Sequence, residues 1–373
     1  MKKIIFYTLV TCILGACDLV DVVDIKPKDV LTEESAIRNQ ETAESALAGI
    51  YRQLNGNTIA YHQTVLQLGI EAQPGGYTGG STSNYYVNNV DPQDGEVLSI
   101  YTHSYDVINR TNYLIEKLPQ LDDGLFEGNR KTEIMAEARF MRGLYHFYTL
   151  RLYGQFWDLT SKYGIVLKDV PARSSNPKPR STVQQSYEFI LNDIDFAIDN
   201  LPIAIPIGAD NPAIYANRYA AVGMKARIKL YMGEYSEAAT LAKEVVDDGP
   251  FTLENTFAEV FENGYESNEM LLASYFDNDE YNATFDTWFL YLEVSDQYKQ
   301  IANNLGDTRV NYVDWTHPIY GPGNGKYRFV DLFESHTNIY MRLAEVYLIY
   351  AEALARSNGT LTDADSPHFS QVF

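Results

Sequence analysis

Two stretches of the 373-residue chain concentrate side chains that can grip a ligand. Residues 71–93 are rich in Gly, Asn, Ser and Tyr, with Tyr77, Tyr85 and Tyr86 among them. Residues 264–330 mix Gly, Asn and aromatics, including Tyr281, Trp288, Tyr291, Trp315 and Tyr320. Polar groups stand beside them: Glu71, Asn84, Asn88 and Asp286. A ligand with apolar faces and polar edges suits this set. Tyr and Trp offer a broad face with a polar handle and lose little conformational entropy on binding. Disordered segments contain few aromatics, and long loops in compact proteins often carry function. Both stretches therefore read as ordered, functional loops. The chain holds 29 tyrosines. Those on helical patterns, Tyr145, Tyr148, Tyr153, Tyr187, Tyr231, Tyr235 and Tyr347, are core candidates, and Trp157, just after a helix, reads as structural.

Catalytic chemistry has weaker support. Fifty acidic residues make chance carboxylate pairs inevitable, and no motif singles out Glu262, Glu266 or Asp286 as an acid. His62, His103, His146, His317, His336 and His368 are scattered without zinc spacing. His146 lies on a helix, where packing or a polar contact explains it. The run 321–326 faintly suggests a phosphate loop but lacks its spacing, so a turn is expected. No cofactor is implied.

The elements that must position these side chains are mostly helices. Residues 41–54 place Ala43, Leu47, Ile50 and Leu54 on one stripe. Residues 132–153 do the same with Ile134, Ala138, Met141, Tyr145, Tyr148 and Leu152, and Gly154 follows. Residues 183–200 carry Tyr187, Ile190, Leu191, Ile194 and Ile198, and Thr182 with Gln185 forms a capping box. Further helices are expected at 213–231, 235–248 and 338–356, and a strand at 269–276. Ala226, Gly233, Tyr235, Ala238 and Pro250 fall at tetratricopeptide-repeat spacing, with Lys225 and Lys229 as departures. Such a unit needs neighbours stacked on it. The fold class is thus mostly α: a tetratricopeptide-repeat-like helical scaffold with a loop-rich, aromatic face.

The N-terminus supplies an address. Lys2 and Lys3 precede an apolar run from Ile4 to Leu14, too short for the roughly 20 residues of a membrane span. Leu14-Gly15-Ala16-Cys17 resembles a bacterial lipobox. Residues 1–16 then form a signal peptide, Cys17 is acylated, and 17–30 is a short acidic tether. Cys12 leaves with the signal, so no internal disulfide is possible. The formal net charge is −21, and two units more negative without Lys2 and Lys3. Such a surface disfavours nucleic acid and anionic lipid as partners.

Several segments in order resemble the SusD/RagB family: 32–54, AEARFMRGLYHFYTLRLYG (136–154), 180–202, 217–246 and IYMRLAEVYLIYAEALAR (339–356). Gly306-Asp307-Thr308-Arg309 and Lys326-Tyr327 resemble smaller landmarks. The resemblance implies a non-catalytic, cell-surface lipoprotein of the outer membrane, with residues 31–373 as one helical domain. It also implies capture of an oligosaccharide for a SusC-like TonB-dependent transporter. Some relatives bind peptides or other nutrients, and a pure protein-interaction scaffold is the alternative from the repeat pattern alone. The family builds its ligand face from the two irregular regions. On that basis Trp288, Trp315, Tyr85 and Tyr77 are the expected stacking platforms, with Tyr86 and Tyr281 beside them. Glu71, Asn84, Asn88 and Asp286 are the expected polar partners. Family members usually continue beyond this length, so the helix at 338–356 is expected to lack a following partner for its apolar face, which includes Leu343, Val346 and Tyr347. A shortened, less stable chain is the corresponding expectation.

Overall fold

The structure, a computed structural model, describes residues 36–55, 65–69, 71–74, 85–174, 177–203, 212–276, 292–318, 321–327 and 336–358. Its contacts define two units, residues 1–38 and 39–373, and everything below concerns the second. Helix α1 spans Gln40–Tyr51, α2 Gly95–Lys117, α3 Arg130–Tyr153, α4 Val183–Asn200, α5 Arg218–Met232 and α6 Tyr235–Asp248. Short helices α7, Phe257–Glu262, and α8, Asp296–Leu305, follow, and α9 covers Leu343–Asn358. Among the described residues, six short strands accompany them: β1 Ala72–Pro74, β2 Met270–Phe276, β3 Leu292–Val294, β4 Asp314–His317, β5 Gly321–Asn324 and β6 His336–Arg342. They pair antiparallel as β1 with β3, β2 with β6, and β4 with β5.

Successive helices pack on one another, α2 on α3, α3 on α4, α4 on α5, α5 on α6, and α9 closes against α6 and α5. This is the stacking that a tetratricopeptide-like pattern requires. At the α5–α6 turn Gly233 adopts φ +78°, a conformation that costs a residue with a Cβ. Ala226 and Ala238 are fully buried between the two helices. Lys229, a departure from the repeat pattern, is buried against Glu234 at 2.6 Å and Glu237 at 2.9 Å.

Helix α3 is central. Phe140, Met141, Leu144, Tyr145 and Phe147 are all buried, and so are Glu137, Arg142 and His146. A helix enclosed on most sides cannot leave its charges unpaired. Arg142 makes a bidentate pair with Asp193 of α4, Nε to Oδ2 at 2.7 Å and Nη2 to Oδ1 at 2.8 Å. Its Nη1 donates to Asn112 Oδ1 of α2 at 2.8 Å, so one guanidinium joins three helices.

Helix α4 matches its expected bounds, and Thr182 and Gln185 form the anticipated capping box. Two expectations change. Residues 338–342 are strand, because they pair with β2 through Asn338↔Ser274 and Ile339↔Ala273, and α9 begins only at Leu343. Nor does α9 lack a partner for its apolar face: Leu343, Val346 and Tyr347 are buried, with α5 and α6 packed against the helix. The expected strand at 269–276 is β2.

Candidate functional site

The two irregular stretches meet through their strands. β1 runs beside β3 with Ala72 opposite Val294 and Pro74 opposite Leu292. Ser295 N–H donates to the Glu71 carbonyl at 2.9 Å, Gln73 Nε2 donates to Glu293 Oε1 at 2.8 Å, and Asp296 N–H donates to Gln73 Oε1 at 3.0 Å. Residues 71–74 are thereby clamped onto the start of α8. β3 in turn lies beside β5 of the β4–β5 hairpin.

That hairpin carries Trp315, half-buried and edge-on to His317 with centroids 5.5 Å apart at 85°. Residues two apart on a strand share a face, which explains the contact. The run 321–326, expected as a turn, is β5 followed by a tight turn that begins at Gly325. Gly325 is obligatory there: a Cβ would stand 1.8 Å from the Tyr312 carbonyl and 3.3 Å from Trp315 Cβ. Tyr312 stacks on Phe261 at 5.8 Å and meets Phe257 edge-on at 5.6 Å, so α7 supports the hairpin from below.

Glu71 is where the elements join. Lys326 Nζ lies 2.5 Å from its Oε1, and Asn324 Nδ2 donates to the same oxygen at 3.3 Å. Lys326 N–H also donates to Asn324 Oδ1 at 3.0 Å. Tyr298 of α8 is near: burial raises its phenol pKa, and the charges of Glu71 and Asp307 raise it further. It is therefore a neutral phenol beside the carboxylate.

Glu71 and Lys326 also line a cleft of about 380 Å³. Its walls come from α3 (Tyr148, Arg151), α5 (Arg227, Tyr231), α7 (Phe261), β6 (Ile339, Tyr340, Arg342) and α9 (Glu345). Arg227 grips Glu345 through Nε at 2.7 Å and Nη2 at 2.6 Å, and Nη2 donates to the Tyr340 carbonyl at 2.8 Å. Such fork-to-fork pairs fix the planes of both groups. Arg151 lies over the Tyr231 ring at 4.7 Å. The cleft thus combines flat rings with fixed donors and acceptors, at a volume typical of ligand pockets.

Of the residues expected from sequence, Glu71 and Trp315 are brought to this region. Tyr85 is elsewhere: its ring is 5% exposed, and burial, with Glu96, Asp94 and Tyr153 nearby, pushes its phenol pKa far up. It serves the packing where α2 begins and presents no open face. Tyr86 is half-buried and Asn88 exposed in the turn over 85–88, where Asn88 has φ +53°. Tyr77, Asn84, Tyr281, Asp286 and Trp288 lie outside the described residues, as do Tyr291, Tyr320 and Cys17. Lys326, Asn324, Tyr298, Arg151, Arg227 and Glu345 were not foreseen as site residues, and Tyr231 was read as core. The available signal was an arginine on an otherwise apolar helix face, as at Arg227, which is 6% exposed. Among the described residues, no group of three or more His, Cys, Asp or Glu could hold a metal ion.

The model of a family described as starch-binding and associating with the outer membrane matches residues 23–230, and that of the SusD family matches 256–366. The chain belongs to the SusD/RagB family. A SusD-like protein of Bacteroides ovatus is 23% identical over 427 residues, covering 99% of this chain and 75% of the relative. SusD-like protein P38 of Formosa agariphila is 24% identical over 246 residues, covering 65% of this chain and 44% of the relative. Among solved structures, a SusD superfamily protein from Bacteroides thetaiotaomicron superposes with a TM-score of 0.74 at 22% identity, covering 89% of this chain and 79% of that one. A laminarin-binding SusD-like protein superposes with a TM-score of 0.71 at 20% identity, covering 89% and 84%. At these identities the likeness establishes the helical SusD fold.

Proposed function

We propose that this SusD-family chain captures carbohydrate at the bacterial outer surface without chemically altering it. The observation that carries the reading is the site around Glu71. A carboxylate from the first irregular stretch and a lysine from the second line one aromatic and arginine-bearing cleft, beside the hairpin that carries Trp315. Sugar hydroxyls match fixed Glu, Lys, Asn and Arg groups, and a sugar's C–H face matches Trp315 and Tyr231. A structural relative described as laminarin-binding supports the same ligand class. Lipidation at Cys17 would hold the protein at the outer membrane, where a SusC-like TonB-dependent transporter would receive the ligand. Among the described residues no helix is long and apolar enough to cross a membrane.

Calorimetric titration of a neutral and acidic polysaccharide panel tests the reading. Trp315→Ala and Lys326→Met should each weaken the best ligand by about 1–3 kcal/mol, the size of an interface hot spot. Products separated after long incubation should be unchanged in length. Retained transporter binding with no affinity for any glycan would instead support the scaffold alternative.

A further inference from the structure

Trp157 stands out because it is 67% exposed, although the sequence suggests a structural role for it. Tryptophan is usually among the more buried side chains, and an exposed one on a rigid support needs a reason. The support here is rigid. Gln155 N–H donates to the Tyr163 carbonyl at 2.9 Å, Ser161 N–H to the Asp158 carbonyl at 3.0 Å, and Val183 N–H to the Ser161 carbonyl at 2.9 Å. Ser161 Oγ donates to Gln155 Oε1 at 2.7 Å. The loop is therefore tied both to itself and to the start of α4. The indole is held edge-on by Phe156, 5.2 Å away at 88°, and Phe156 contacts Tyr231 at 5.4 Å. The backbone that carries the indole is thus in place before any ligand arrives.

The neighbours define the ligand. Gln155, Asp158, Thr160 and Lys162 flank the indole in sequence, and Tyr163, 50% exposed, belongs to the same loop, so the surface around it mixes polar groups with one further ring. A protein hot spot relies on surrounding contacts that exclude water. Here the polar groups face solvent. Gln155 Nε2 and Asp158 Oδ2 make no hydrogen bond among the described residues, while Asp158 Oδ1 accepts from Thr160 N and Oγ1 at 2.9 and 2.7 Å. A flat ring on the same short loop as an amide donor and a carboxylate acceptor matches the C–H face and hydroxyls of an uncharged sugar. Asp158 and the acidic chain as a whole oppose a polyanion.

We propose that Trp157, with Gln155 and Asp158, is a second carbohydrate-stacking site, for a neutral glycan, outside the Glu71–Lys326 cleft. The inference rests on the carbohydrate-binding reading above. Phe156 contacts both Trp157 and Tyr231 of the cleft wall, a separation that one long glycan can span. Two linked contacts on one polymer raise overall affinity without any new contact.

The test uses the lipid-free mature chain, with laminarin, amylopectin, xylan and mannan as neutral probes and pectin as the anionic one. Trp157→Ala should weaken the neutral polymer that the wild type binds by about tenfold, while a short oligomer of that polymer loses less. Saturating polymer should shift the tryptophan emission of the wild type to the blue and shield it from iodide, and both effects should be smaller in Trp157→Phe. Because the indole is mostly exposed, the thermal midpoint of Trp157→Ala should match the wild type. Equal polymer affinity in wild type and Trp157→Ala would overturn this site while leaving the carbohydrate-binding reading intact. Lost transporter binding with unchanged glycan affinity would likewise overturn it. A wild type that binds none of the probes would remove both.

Discussion

His146 should make the protein acid-labile over a defined window. The side chain is fully buried on α3, edge-on to Phe189 at 5.0 Å. Its Nδ1 lies 2.9 Å from the Arg142 carbonyl, so Nδ1 carries the proton, and Lys168 N–H donates to Nε2 at 3.4 Å. Both ring nitrogens are thus used by the neutral form. Burial lowers the pKa to about 4, from 6.5; Asp193 and the Arg142 carbonyl oppose the shift, and the Arg142 charge adds to it. Between these two values the unfolded chain binds a proton that the folded chain refuses. Stability from this group is therefore complete above pH 6.5. It falls as the pH drops from 6.5 to 4, and is lost below that. At 1.36 kcal/mol per pKa unit the full loss is about 3 kcal/mol, against a total stability of roughly 5–15 kcal/mol for a domain. Urea unfolding of wild type and His146→Gln at steps from pH 8 to pH 4 measures it. The glutamine does not titrate and offers one donor and one acceptor. It should cost stability at pH 8 through lost packing on Phe189. That deficit should shrink by about 3 kcal/mol, or reverse, by pH 4, because acidic groups common to both proteins cancel in the difference. A gap that stays constant across the range would refute the assignment of His146 as a buried neutral base.

Other perturbations separate scaffold from site. Asp193→Ala leaves the guanidinium of Arg142 buried without its carboxylate and removes a 2.8 Å partner from Arg139, so urea unfolding should show a loss of about 3–5 kcal/mol. Gly325→Ala drives a Cβ into the Tyr312 carbonyl. The hairpin must shift, so calorimetry should show weaker glycan affinity while the far-ultraviolet circular dichroism of the helices is unchanged. Cys17→Ser should leave fold and glycan affinity intact but release the protein from the outer membrane, which fractionation of cells would show. Retention of that variant would argue against the lipid anchor.

Local signals were legible in the sequence, and distant pairings were not. The α4 bounds follow from a capping box and an unbroken apolar stripe, both contained within twenty residues. Helix α2 went unread although it is 23 residues long. Its buried face includes Ser104, Thr111 and Asn112, so the stripe looks polar. Ser104 and Thr111 return their hydroxyls to the carbonyls of Ile100 and Ile108, and Asn112 serves Arg142. The register of β6 was hidden for another reason. Residues 338–342 have helix-compatible composition, and only the partner strand β2, more than sixty positions earlier, makes them extended. Glu71 and Trp315 could be named because loops rich in aromatics are unusual. Lys326 and Arg227 could not, because their partners Glu71 and Glu345 lie 255 and 118 positions away.

The two kinds of pairing have different consequences for binding. Arg227, Glu345 and the Tyr340 carbonyl tie α5, α9 and β6 together at one wall of the cleft, and Arg227 is 6% exposed. Its orientation is set by the scaffold, so a ligand meeting this wall loses little freedom to side-chain ordering. Lys326 and Glu71 differ: their side chains are 21% and 20% exposed, within reach of water. An ion pair so placed contributes little to stability, yet it keeps a donor and an acceptor in register across the two irregular segments. A neutral sugar need not break such a pair to use it, because Glu71 Oε2 can accept from, and the remaining protons of Lys326 can donate to, further hydroxyls. A charged ligand must compete with one partner. The Glu71–Lys326 pair therefore favours uncharged sugars in the cleft, the same preference that Asp158 gives to Trp157.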